Sequence, residues 1–106
     1  MRLSVTVEGR EHWVEWRDDA VMTRRALREF YLGGRTDDDA FVLERFGAWA
    51  SSCCLTDTEG REYGSFAEMD GEALDGLHPA VLRWLYQLPR LAADEQASLG
   101  EAKSRR

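Results

Sequence analysis

"RLSVTVEGREHWVEWR", Arg2 to Arg17, decides the fold class. Apolar and polar residues alternate on both sides of Gly9, a period of two that belongs to strands. Gly9-Arg10 suits a two-residue type II′ turn, with glycine at the position that needs a positive φ. That turn pairs Val7 with His12, Val5 with Val14 and Leu3 with Trp16 on one face. Thr6–Trp13, Ser4–Glu15 and Glu8–Glu11 fall on the other. One face is apolar and the other mostly polar, as a half-buried antiparallel pair requires.

Beyond the hairpin the period changes to that of helices. Asp18-Asp19 can cap a helix through "AVMTRRALREFYL", in which Met22, Ala26 and Phe30 recur at i+4. Gly33-Gly34 stops it. A second helix is expected from Thr36, with Asp39 completing a capping box and Asp37–Asp39 facing the positive end of the dipole. Val42, Phe46 and Trp49 form its apolar stripe, and Gly47 weakens it by about 1 kcal/mol relative to alanine. Cys53-Cys54-Leu55 and "REY" then read as two short strands around the turn "DTEG", where Gly60 takes a left-handed conformation. "SFAEMDGEALDGL" gives one or two brief helical turns, with Ser65 as a cap. "HPAVLRWLYQL" is a helix opened by Pro79 and ended by Pro89. The expected fold is α+β: an N-terminal β-hairpin, then a bundle of three to four helices with a second short hairpin. Residues 1–90 form one compact domain and residues 91–106 a weakly helical, charged tail.

The chain has 106 residues, enough for one hydrophobic core. Its net charge of −6 is uneven. Residues 1–35 carry seven Arg against six acids, for +1; residues 36–99 carry four Arg against thirteen acids, for −9. An acidic body repels a phosphate backbone, so nucleic acid is not an expected partner. "MRLSVTVEGR" has no apolar signal-peptide core, and no apolar run reaches the length of a membrane span. Two cysteines make no disulfide framework, so a cytoplasmic, reduced setting is expected.

The residues that could carry chemistry have simpler roles. Cys53 and Cys54 are adjacent, and in a strand their side chains point to opposite faces, which suits packing and not a shared metal. "DTEGRE" is too short a run to match a calcium loop. Asp37–Asp39 serve a helix start, and Gly33-Gly34-Arg35 lacks the strand, helix and lysine of a phosphate loop. His12 lies on the hairpin's apolar side and His78 at a helix start, neither with a Ser or Cys in a recognisable triad setting. No catalytic, cofactor or metal site is expected, and the chain reads as a non-enzyme. Trp16 and Trp49 belong to the core, whereas Trp13 sits on the outer face, where its indole either serves a protein interface or is simply left half-covered by so small a domain.

Trp49, "LTDTEGREY" (Leu55–Tyr63), Leu74, Leu77-His78-Pro79 and Val81-Leu82 together resemble a run found in phage tail assembly chaperone-like proteins. Those small siphophage and prophage proteins combine an acidic helix, "L-x-D-x-x-G", a polar connection and a Leu-Pro helix opening. The resemblance covers Asp37 to Leu88, with His78 a departure before Pro79, and leaves the "HWVEW" hairpin outside. It implies a non-enzymatic role: coating the tape-measure protein while tail-tube subunits polymerise around it. The implied partner is a long, mostly helical chain with exposed apolar residues. Trp13, Leu91 and Leu99, which have no evident place in the core, are the expected contacts. The rival readings are an inhibitor or adaptor docking on a host protein, a structural tail or connector component kept in the virion, and an unrecognised enzyme. A homo-oligomer is compatible with each.

Overall fold

The computed structural model describes the backbone of residues 1–104 and the side chains of residues 1–99. Four strands, β1 (Arg2–Val7), β2 (Arg10–Trp16), β3 (Ala50–Thr56) and β4 (Glu62–Tyr63), form an antiparallel sheet in the order β1-β2-β3-β4. Helices α1 (Arg24–Leu32) and α2 (Asp39–Trp49) lie between the two hairpins. A short 3-10 turn (Phe66–Glu68), α3 (Gly71–Asp75) and α4 (Pro79–Ser104) follow. The fold is α+β, as the change of period along the sequence predicts.

The first hairpin differs from expectation in its turn. Glu8 and Gly9 are the central residues, with φ of 52° and 77°. Two positive φ values define a type I′ turn, whose twist matches that of the strands it joins. Val5 consequently faces His12 and Leu3 faces Val14, while Val7 faces Arg10. Each β1 residue has moved by two along its partner, so every side chain keeps its face. His12, Val14 and Trp16 are buried, and Trp13 looks outward. β3 continues the inner face with Cys53 and Leu55.

The helix starts also move. α1 begins at Arg24, where the Thr23 hydroxyl accepts the Ala26 N–H at 3.1 Å, and Asp18 and Asp19 remain exposed. Residues ahead of Thr23 stay out of the helix, which leaves Met22 free to enter the core. α2 is capped by Asp38, not Thr36, through the Phe41 N–H at 3.2 Å. Phe30 meets Phe41, Phe46 and Trp49 with ring centroids 5.7–6.1 Å apart. Phe46 reaches Phe66 at 5.3 Å, tying α2 to the 3-10 turn. These aromatic contacts fill the space between the helices and the sheet.

Pro89 does not end the last helix. α4 passes through it and continues to Ser104. A proline in mid-helix donates no hydrogen bond to the carbonyl four residues earlier, here that of Leu85. Two features offset this loss. Pro89 is fully buried among core residues, and the Tyr31 hydroxyl donates to the adjacent Tyr86 carbonyl at 2.6 Å. Packing also continues beyond residue 90. Ala92 is buried, and Gln96 both accepts the Met22 N–H at 2.8 Å and donates to the Ala20 carbonyl at 2.9 Å. Thus α4 is bound to the body as far as Gln96, beyond the domain edge expected at residue 90.

Candidate functional site

A polar cleft of about 440 Å³ opens at one end of the sheet. The β1–β2 hairpin supplies Glu8 and Arg10, the β3–β4 hairpin supplies Thr56 to Gly60, and the residue before α4 is His78. His12 forms part of its wall. The cleft therefore gathers both histidines of the chain, a meeting that sequence spacing does not announce.

Most of its polar groups are occupied in holding the backbone. His12 is only 4% exposed, and its Nδ1 accepts the Thr56 N–H at 3.3 Å, joining β2 to β3. Burial first, then the nearby charges of Arg10 and His78, lower its pKa from the ordinary histidine value. His78 Nδ1 accepts the Ala80 N–H at 3.0 Å, capping α4, while Nε2 lies 3.4 Å from Glu8 Oε1. Three of the four imidazole nitrogens thus have structural partners. Asp57 Oδ1 accepts the N–H groups of Glu59 and Arg61, both at 2.9 Å, to shape its turn. The Thr58 hydroxyl donates to the Gly76 carbonyl at 3.0 Å.

Cys53 is buried, its thiol donates to the Tyr63 carbonyl at 3.7 Å, and burial pushes its pKa up to about 12. A thiol so protonated is inert. Cys54 faces the other side of the sheet, as strand alternation predicts, and both cysteines are free. Among the described residues no group of three or more His, Cys, Asp or Glu is placed to hold a metal ion. Among them, too, no helix is long and apolar enough to cross a membrane.

The three expected contact residues differ in how far they are exposed. Trp13 is half-buried on the outer sheet face, with the Arg2 guanidinium 3.8 Å above its ring. Leu91 has a place after all, packed against the core. Leu99 is 56% exposed, on the part of α4 beyond Gln96. Sequence reasoning overlooked two other exposed apolar residues, Val21 and Leu32, because it placed both within the first helix's pattern. Comparison with protein-family models, curated proteins and solved structures finds no match to this chain.

Proposed function

We propose that this protein is a non-enzymatic polypeptide-binding factor in phage tail assembly, a chaperone for tape-measure or tail-tube proteins. The observation that carries the reading is the exposed Leu99 on a helix that outruns its own core. Val21 belongs to the same end of the molecule, since its neighbour Met22 is hydrogen-bonded to Gln96, three residues before Leu99. Two exposed apolar side chains near one helix end offer purchase to an apolar stripe on a helical partner. The charge of −9 over residues 36–99 keeps such complexes soluble and disfavours DNA. The run resembling tail assembly chaperones supplies the choice of partner. The histidine cleft would favour acid–base chemistry if its imidazoles were free, but the partners of three of their four nitrogens favour a structural role.

The test is retention of the folded protein by an immobilised helical tape-measure fragment. Wild type binds, and Leu99→Asp weakens binding by about tenfold or more, the loss expected when an apolar anchor is replaced by a charge. Because Leu99 lies outside the core, thermal unfolding stays unchanged. No retention of folded wild type, or equal retention of the variant, overturns the proposal.

A further inference from the structure

We infer that a second, separate docking surface lies between α2 and the segment containing the 3-10 turn and α3, and that its occupant is a basic amphipathic helix. The groove measures about 690 Å³ and has a floor that includes Leu43, Gly47 and Met69. Asp39, Glu44 and Asp70 stand around it, and among the described residues no Lys, Arg or His lines it. An apolar floor inside a ring of carboxylates is complementary to a segment with leucine-like residues on one face and lysine or arginine beside them.

Gly47 points the same way. Glycine is unfavourable in mid-helix, yet a Cβ at this position would meet no atom within 4 Å. No contact inside the molecule requires the missing side chain. Its absence keeps the α2 backbone open to the groove, and glycine is the residue that lets another chain approach a backbone closely. This surface is distinct from the one around Leu99, and the inference stands whether or not the tail-assembly reading does.

Fluorescence anisotropy with labelled peptides of about 18 residues, long enough to form a helix, tests it. One peptide combines an apolar leucine stripe with lysines, a second replaces lysine by glutamate, and a third scrambles the lysine peptide so that the stripe is lost. The lysine amphipath should bind at least about tenfold more tightly than either control. Gly47→Met, which fills the groove, should weaken that binding by a similar factor. Gly47→Ala should weaken binding too, though less than Gly47→Met, and melt at a higher temperature, since alanine is the better helix former. Leu99→Asp should leave the affinity unchanged. Equal binding of the scrambled peptide would reduce the effect to bulk charge attraction, and an unaltered Gly47→Met affinity would place the peptide elsewhere; either result overturns the inference.

Discussion

His12 is the residue at which burial, hydrogen bonding and proton affinity meet. Its ring is buried, and the Nδ1 lone pair that holds the Thr56 N–H is the one a second proton would take. The folded state therefore binds that proton less readily than the unfolded chain, whose histidine titrates near pH 6.5. A depressed base contributes stability that is present in full above the unfolded value and is lost as pH falls from there toward the lower folded value. Urea unfolding midpoints should decline between about pH 7.5 and 5.5, and His12→Asn, whose Oδ1 can accept the same N–H, should flatten the decline. A wild-type midpoint constant over that range would show that His12 does not control it. The cysteine pair illustrates what neighbouring residues disclose in advance: strand alternation puts Cys53 and Cys54 on opposite faces, while which of them is buried is decided by how β3 pairs with β2. The role of His12 as an acceptor is not visible in that way, because it depends on where Thr56 arrives.

Among the elements, the first hairpin shows the limit of pattern reading. Its inner and outer faces are legible because apolar and polar residues alternate along both strands. The turn is not legible from alternation, since sliding one strand by two residues returns every side chain to its former face. Backbone preference decides instead, and Glu8 accepts a left-handed φ of 52° so that Gly9 can take the second position of the turn. Asparagine adopts that conformation more readily than glutamate. Glu8→Asn should raise stability by up to about 1 kcal/mol in chemical denaturation, after allowing for the exposed Glu8–His78 contact it removes. A net loss would mean that this contact outweighs the turn. The helix starts were hidden for a related reason. Thr and Asp are abundant before both α1 and α2, and the burial of Met22 and Phe41 selects among the available caps.

At the scale of the whole molecule, Gln96 joins chain segments that are remote in sequence. Its amide accepts from Met22 and donates to Ala20, fastening α4 to the passage that leads into α1. Gln96→Ala should cost about 1 kcal/mol, because the Met22 N–H loses its partner in a half-buried place while the Ala20 carbonyl keeps the Trp16 indole N–H at 3.1 Å. It should also speed hydrogen exchange at the Met22 amide, whereas unchanged protection there would show that the clamp is dispensable. Nothing local marks this glutamine, just as nothing local brings His12 to His78. Both meetings follow from how the sheet and α4 are oriented, which is decided by the entire core. The proline in α4 gives the clamp a mechanical meaning. With the Leu85 carbonyl lacking its helical donor, bending stiffness is lowest midway along the rod, while its outer portion is moored at Gln96. A partner pulling on α4 beyond Gln96 would thus load the approach to α1, and through the Ala20 carbonyl that Trp16 shares, the end of β2 as well.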